Sequence, residues 1–170
     1  DYVINTSPTG LPSGYTAKTL EAWFKFDEIC NTYFCNIGGF GSNTSVGNNF
    51  QVGSGYSGNF TVWGWGLGYD WDTGYSVNNV LDGKFHHIVV AYDGTNTTMY
   101  IDGVSRATTA LFDWNTDPDN IVIGDEIDGS GHAMNGYIDS FKIYSRALGS
   151  TEALNNYNMS DGESASDDTS

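Results

Sequence analysis

Aromatic rings flanked by glycine and polar residues are the first candidates for chemistry in this chain. Tyr69, Trp71 and Tyr75 follow one another in a glycine-bordered segment, and Trp114 stands in a polar loop. Such rings stack on the apolar faces of sugars, while nearby amide and carboxylate groups bond the sugar hydroxyls. We predict that these four residues bind a ligand, and that Trp71 and Trp114 are exposed.

A second aromatic pair, Trp63 and Trp65, is separated by one glycine. In a strand, side chains alternate between the two faces, so both rings would lie on one face and the glycine on the other. In a two-sheet protein, alternating tryptophans usually face the opposite sheet. We therefore expect Trp63 and Trp65, like Trp23, in the core, with an exposed sugar-binding platform as the alternative.

Two acidic segments could attract a cation. The loop 113–120 begins with side-chain oxygens at alternate positions, as a calcium loop does, but Pro118 stands where an EF-hand needs glycine and Gly124 where it needs the closing glutamate. We do not expect a metal there. Glu126 and Asp128 lie in a segment bounded by Gly124 and Gly129, which is also typical of a solvated acidic turn.

The histidines give no catalytic pattern. His86 and His87 are neighbours, so they point to opposite faces of a strand, one towards the core and one towards the surface. His132 stands in a loop, and no Ser-His-Asp arrangement or metal-binding histidine spacing emerges.

Cys30 and Cys35 are the two cysteines of the chain. Four residues separate them, whereas a redox-active CxxC motif has two, and a zinc site would need two further nearby ligands. We predict a structural disulfide between them, as in an oxidising compartment.

Asparagines in the pattern that N-glycosylation requires occur several times, although a chain this rich in Asn, Ser and Thr yields some by composition. The acceptors would be Asn5, Asn43, Asn59, Asn96 and Asn158, of which Asn96 is the best placed in a turn.

Charge excludes several classes of partner. The chain has 21 acidic and 6 basic residues and a formal net charge of −15, so it repels phosphate backbones and anionic lipid. Its longest purely aliphatic or aromatic run, residues 88–92, is far shorter than a membrane span. We expect neither nucleic acid nor membrane insertion.

The composition also predicts the domain organisation. A hydrophobic content of 39% and a length of 170 residues suit one domain, assigned to residues 1–159. Residues 160–170 are rich in Ser, Asp, Glu and Gly, which favours a disordered linker. Such a tail suggests that the domain is tethered to further domains of a longer chain.

Short strands joined by tight turns account for most of the pattern. The 22 glycines and 3 prolines separate runs of alternating apolar residues, such as residues 20–26, which suit a strand with one solvent-exposed face. Asp102-Gly103 between two such runs predicts a hairpin, and residues 149–157 predict one short C-terminal helical turn. The fold class is all-β, a two-sheet antiparallel β-sandwich.

An ordered set of short motifs resembles the laminin G-like modules of the concanavalin A-like lectin and glucanase superfamily. It comprises Leu20-Glu21-Ala22-Trp23, His86-His87, Tyr100-Ile101-Asp102-Gly103, Ile123-Gly124, Gly136-Tyr137-Ile138-Asp139 and the run from Ile143 to Leu148. The resemblance implies a jelly roll, extracellular placement, and binding of carbohydrate or protein, often with calcium.

Residues 121–131 are similar to the pentraxin signature, in which a Glu-x-Asp segment after a strand supplies calcium ligands. Carried over, the carboxylates of Glu126 and Asp128 and the carbonyl of Ile127 would bind one Ca²⁺, with Asn48 and Asn49 in the place of the pentraxins' Asp-Asn pair. The acids that complete a second pentraxin ion have no match here, and Ala22 and Val89 stand where the pentraxin disulfide would be. At most one calcium ion is implied.

The glucanases of the same superfamily have a Glu-x-Asp-x-Glu pattern on one strand. Here the triplet reads Glu126, Asp128 and Ser130, and a serine cannot protonate a glycosidic oxygen. We therefore expect no enzyme but a secreted or cell-surface recognition module for glycans. The alternative is an adhesive or structural module whose partner is another extracellular protein, and a laminarinase-type hydrolase comes last.

Overall fold

The computed structural model describes residues 1–28, 35–66, 68–127 and 131–160. In these residues, eleven strands form two antiparallel sheets, which confirms the predicted β-sandwich. The six-stranded sheet consists, in spatial order, of β1 (Val3–Asn5), β10 (Asn120–Ile123), β3 (Cys35–Gly41), β4 (Asn49–Ser54), β5 (Asn59–Trp63) and β6 (Trp71–Ser76). The five-stranded sheet consists of β11 (Gly136–Tyr144), β2 (Lys18–Phe26), β7 (His86–Tyr92), β8 (Thr97–Ile101) and β9 (Val104–Thr109).

The core lies between the two sheets and follows from the alternation within each strand. In β2, Leu20, Phe24 and their even-numbered neighbours face the opposite sheet, where Phe50 and Phe60 meet them. These side chains are almost completely removed from water. Burial stabilises each such ring by about 1.5–3 kcal/mol, which makes this layer the main source of stability.

The other face of β2 is also buried, so the expected solvent-exposed face is wrong. The helix α1 (Ser150–Ser160) extends the single helical turn that the sequence predicts, and it covers this face. Trp23 is buried as expected, but it packs outside the sandwich, where its ring stacks on Tyr157 at 5.7 Å. Glu21, 1% exposed, accepts hydrogen bonds there from Tyr144 (2.7 Å) and Asn156 (2.8 Å).

The Asp102-Gly103 hairpin is confirmed. Both residues have positive φ, 53° and 71°, as a two-residue turn of this type requires, and Ile101 pairs with Val104 across it. The carboxylate of Asp102 also binds His86 Nδ1 at 2.8 Å. His87, on the opposite face, is fully buried, so the two histidines separate as expected.

The acidic loop 113–120 receives a cation from the chain itself. The ammonium of Lys18, 0% exposed, donates to the carbonyl of Gly14 (2.5 Å), the carbonyl of Trp114 (2.9 Å) and Thr116 Oγ1 (2.9 Å). Burial lowers the pKa of Lys18 to about 7. The loop is therefore fastened to β2 by a lysine.

Helix α1 includes Ser160, one residue beyond the expected domain limit, and residues 161–170 of the predicted linker lie outside the described residues. Among the described residues, none of the helices has the length and apolar character needed to cross a membrane.

Candidate functional site

Trp63 and Trp65 do not lie in the core. Val62 faces the other sheet, so its neighbour Trp63 points to the outer face of the six-stranded sheet. There Trp63 is the cross-strand neighbour of Gln51 in β4. Trp65, beyond the end of β5, is likewise half-buried. Gly64 between them is buried against Trp114, since an added Cβ there would stand 2.8 Å from that ring. The alternative reading, an accessible platform, is the one that matches the structure.

These two rings line a cavity on the outer face of the six-stranded sheet, which we name the outer-sheet cavity. It has a volume of about 380 Å³, within the usual range for small-molecule sites. Tyr56, 69% exposed, extends its wall and meets Trp63 edge to face at 6.2 Å. The remaining described lining residues are Asn49, Gly66, Asp70 and Glu126.

The loop between β5 and β6 holds Trp65 in an unusual backbone conformation, with φ of 68°. A bulky residue rarely adopts positive φ, and the conformation costs about 1 kcal/mol or more. The neighbouring loop supports it: Gly47 donates its N–H to the Trp65 carbonyl (3.2 Å), and Gly66 lies so close to Val46 that an added Cβ would stand 2.4 Å from it. This backbone conformation places the Trp65 ring on the cavity wall.

Glu126 is positioned by a buried glutamine. Gln51, 1% exposed on the outer face of β4, accepts the N–H of Ile127 (3.2 Å) and donates to the carbonyl of Asp125 (3.5 Å). These two contacts bracket Glu126 and fasten its loop to the sheet. Its carboxylate is in hydrogen-bond contact with His132 Nδ1.

The polar groups of the cavity are mainly acceptors. Burial raises the pKa of Asp70, and the charge of Glu126 raises it further, in opposition to the hydrogen bonds from the backbone N–H groups of Gly64 and Trp65. Asn49 is 1% exposed, and its side-chain oxygen has no hydrogen-bond partner among the residues that the structure describes. A buried acceptor without a donor is costly, so this wall suits a ligand that supplies donors.

The expected exposure of Trp71 and Trp114 is wrong. Trp71 opens β6 and is 7% exposed, and Trp114 is 0% exposed; both belong to the core cluster. Trp114 packs on Phe50 at 5.4 Å, and its Nε1 donates to Thr97 Oγ1 at 2.6 Å. Its polar loop turns the indole inward because the ring buries a large apolar area and its one donor finds a partner inside.

Tyr69 and Tyr75, the other two predicted ligand contacts, are half-buried and lie apart. The Tyr69 ring covers the backbone of Gly47, where an added Cβ would stand 3.0 Å from it. Tyr75 stacks on Phe60 at 6.3 Å and lies under the Arg106 guanidinium at 5.2 Å. Neither is among the described residues that line the outer-sheet cavity.

Of the four predicted calcium ligands that the structure describes, two line the cavity. Asn49 and Glu126 do so, while Asn48 donates instead to Asp117 at 2.8 Å and Ile127 is 4% exposed. Asp128 lies outside the described residues. Among the residues that the structure describes, no group of three or more His, Cys, Asp or Glu side chains could hold a metal ion.

The predicted disulfide and sequons remain predictions. Cys35 is fully buried, and its expected partner Cys30 lies outside the described residues. Of the five predicted acceptors, Asn5, Asn43 and Asn158 are exposed and Asn59 and Asn96 are half-buried.

A second cavity, of about 360 Å³, opens between the edges of the two sheets. Aliphatic side chains and backbone make up much of its wall, for example Val3, Ile123 and Ile138. Asp1, Asp139 and Ser140 add polar side chains to this wall, but no tryptophan is among its described lining residues.

Sequence reasoning missed Tyr56 and Asp70 as site residues and misplaced Trp63 and Trp65. A usable signal was present in β5: Phe60 and Val62 form the apolar face, so Trp63 had to lie on the other one. Asp70 carried no such signal, because its approach to Glu126 depends on loops that are far apart in sequence.

The two antiparallel sheets define a jelly-roll β-sandwich, with an aromatic cavity on one outer face. Residues 1–153 match the Laminin_G_3 family, described as the concanavalin A-like lectin/glucanases superfamily, and the chain belongs to that family. This confirms the resemblance found in the sequence. A search of curated proteins finds no match.

Solved structures support the same fold. The binding domain of paraclostridial mosquitocidal protein 1 superposes with a TM-score of 0.69 at 16% identity, over 94% of this chain and 41% of that one. Domain 4 of AbnA, an extracellular arabinanase of Geobacillus stearothermophilus in complex with arabinotriose, gives 0.67 at 22% identity, over 88% and 70%. A putative carbohydrate-binding protein of Bacteroides ovatus gives 0.65 at 20% identity, over 90% and 43%.

The chain thus spans about two fifths of the mosquitocidal binding domain that it matches. At these identities the likeness establishes the fold, and the ligand has to be argued from the cavity.

Proposed function

We propose that this domain is a non-catalytic carbohydrate-binding module and that the outer-sheet cavity is its sugar site. The observation that carries the proposal is the convergence of Tyr56, Trp63 and Trp65 with the polar side chains of Asn49, Asp70 and Glu126. Rings can stack on the apolar face of a sugar, while the carboxylates and the amide accept hydrogen bonds from its hydroxyls.

The solved structures are consistent with this assignment. One is a domain in complex with arabinotriose and another is titled a putative carbohydrate-binding protein. The module would act outside the cell, in the setting of the extracellular arabinanase. There it would bring a larger protein to a glycan.

The absence of catalysis is also part of the proposal, because the cavity holds two carboxylates. A glycosidase needs an acid and a base or nucleophile on opposite sides of the scissile bond. Here Glu126 is engaged by His132, and Asp70 accepts a hydrogen bond from the N–H of Gly64 at 3.2 Å. Glu126 also lies beyond the end of β10 at Ile123, so strand alternation does not align it with a second acid.

One calcium ion beside the cavity remains a further proposal. Asn49 and Glu126 share the wall, and oxygen donors of this kind suit Ca²⁺. Together with Asp128 they would hold the ion, which would fix the loop that follows β10.

Titrations of tryptophan fluorescence with a panel of neutral and charged polysaccharides test the proposed function. We expect at least one to bind, and we expect Tyr56→Ala and Trp63→Ala to weaken binding about tenfold, as loss of a stacking ring would by about 1.4 kcal/mol. Tyr15→Ala is the matched control, since Tyr15 is 59% exposed but is not among the described residues that line the cavity.

Binding that survives both cavity substitutions would move the site elsewhere on the domain. Release of reducing sugar, stopped by Glu126→Gln, would contradict the non-catalytic assignment. Failure of the whole panel, with capture of another extracellular protein by the domain, would favour the adhesive role.

A further inference from the structure

The charges of the two sheets differ sharply. All six basic residues lie in the five-stranded sheet or within two residues of its strands: Lys18 and Lys25 in β2, Lys84 before β7, Arg106 in β9, Lys142 in β11 and Arg146 after it. The six strands of the other sheet contain none. Asp70, Asp72, Asp125 and Glu126 lie in or beside these strands, so the sheet that carries the outer-sheet cavity is the anionic side of the sandwich.

The basic residues are also committed to local partners. Lys18 is enclosed by backbone and hydroxyl oxygens, Lys142 binds the buried Glu21 at 3.0 Å, and Arg146 pairs with Glu152 at 2.7 Å. The ion-paired charges of Lys142 and Arg146 contribute little to the field at a distance. The field over the six-stranded sheet is thus set by its own acids.

The charged side chains that line the outer-sheet cavity are also negative. Asp70 and Glu126 are close enough for the charge of one to raise the pKa of the other. Among the described lining residues there is no lysine, arginine or histidine. The titratable group beside them is His132, paired with Glu126.

Two further features of the wall favour a cation that donates hydrogen bonds. The buried Asn49 oxygen accepts no hydrogen bond from the described part of the chain, and the faces of Trp63 and Trp65 are regions of negative potential that attract cations. An ammonium group supplies three N–H donors and a positive charge at once. A hydroxyl supplies one donor and no charge.

We propose that the outer-sheet cavity selects sugars that carry a protonated amine, such as glucosamine units with a free amino group, over their neutral counterparts, and that it excludes sugars that carry a carboxylate. This inference rests on the proposed function, since it names the substrate class of the same cavity. In the metal-free domain, the ammonium binds between Asp70 and Glu126, and the sugar ring stacks on an indole; a calcium ion on Glu126 would compete with it.

The test compares sugars that differ in one substituent. Glucosamine, glucose and glucuronate, and the corresponding galactosamine, galactose and galacturonate, are titrated into the ¹⁵N-labelled domain at neutral pH, low salt and with chelator present. We expect the amino sugar of at least one series to bind about tenfold more tightly than the neutral sugar, and the uronate not to bind. Added salt should reduce the preference, because it screens the charges.

The variants Asp70→Asn and Glu126→Gln keep the shape of each side chain and remove its charge. In both, the ratio of amino-sugar to neutral-sugar affinity should fall towards one. Asp119→Asn is the matched control, because Asp119 is exposed beside the same sheet and outside the described cavity wall. It makes the same change in net charge and should keep the ratio.

Three outcomes would overturn the inference. If neutral sugars bind as tightly as amino sugars, the cavity does not select for charge, and the proposed function stands. If methylammonium alone binds as tightly as glucosamine, the site recognises the amine without the sugar. If no sugar or polysaccharide binds at all, the proposed function fails as well, which separates the two failures.

Discussion

Trp65 combines a strained backbone with a ring placed on the cavity wall. Its φ of 68° is one that glycine adopts without cost, while the half-buried indole lines the outer-sheet cavity. Strain that persists at one bulky residue is often tied to function. Stability and binding should therefore respond in opposite ways to its replacement.

Replacing Trp65 with glycine separates these two contributions. We expect Trp65→Gly to leave the melting temperature unchanged or to raise it, because about 1 kcal/mol of backbone strain is relieved while packing at the ring is lost. Sugar binding should weaken about tenfold, since the stacking surface is lost. Calorimetry of unfolding and of binding measures both.

Trp65→Ala is the companion variant, since it removes the ring and keeps the strain. It should bind as poorly as Trp65→Gly and unfold at a lower temperature. Equal stability of the two variants would show that the positive φ carries no cost at this position.

Single residues also show the limit of prediction from local pattern. Trp114 has acidic neighbours on its loop, yet it is completely buried, whereas Trp63, in a strongly apolar strand, faces outward. Whether each indole is buried or faces outward depends on which side chains it contacts in the fold. The Nε1 of Trp114 finds Thr97, which is distant in sequence and which no local window contains.

At the scale of elements, helix α1 is docked by a buried charge. Glu21 in β2 meets Lys142 and Tyr144 from β11 and Asn156 from the helix. Burial would raise the pKa of Glu21, but the hydrogen bonds from His87 and these three side chains lower it to about 2. The charged form is therefore the one that holds the helix.

The pH dependence follows from that direction. Because the folded pKa lies below the ordinary value of 4.5, the stabilisation is complete above pH 4.5 and is lost as the pH falls towards 2. We expect Glu21→Gln to lower the free energy of unfolding by about 2 kcal/mol at neutral pH. The difference from wild type should shrink as the pH approaches 3, as measured by urea unfolding.

Glu28→Gln is the control, because Glu28 is exposed and should change stability little at either pH. If Glu21→Gln lowers the free energy of unfolding by the same amount in acid and at neutral pH, the proposed link between the Glu21 charge and stability is contradicted.

The strands and the hairpin could be predicted because their signals are local. The alternation in β2 and the Asp102-Gly103 turn each lie within one short window of sequence. The burial of the outer face of β2 could not be predicted in this way. Glu21 has the pattern of a solvent-exposed position, and the helix that covers it lies more than a hundred residues later in the sequence. The cavity could not be predicted locally either, because loops between three separate pairs of strands contribute to its wall.

At the scale of the whole molecule, the net charge of −15 is distributed unevenly over the surface. The acids exceed the bases most on the six-stranded sheet, where the cavity lies. A calcium ion bound beside Glu126 would offset part of that charge and would tie the loop after β10 to the sheet.

Metal removal tests this contribution. If the predicted ion binds, the melting temperature should fall by several degrees on chelation and return with added Ca²⁺, as expected when a ligand binds only the folded state. Glu126→Gln should abolish the difference. An unchanged melting temperature, with no metal bound to the purified protein, would contradict the calcium proposal and leave the sugar site intact.

The central claim is that a sugar binds on the outer face of the six-stranded sheet. The five indole N–H signals of the ¹⁵N-labelled domain test it directly, since each tryptophan reports from one place in the fold. During titration with a bound glycan, we predict that the signals of Trp63 and Trp65 shift, while those of the buried Trp23, Trp71 and Trp114 stay in place. Shifts confined to the buried three, or saturable binding that moves neither Trp63 nor Trp65, would contradict the account.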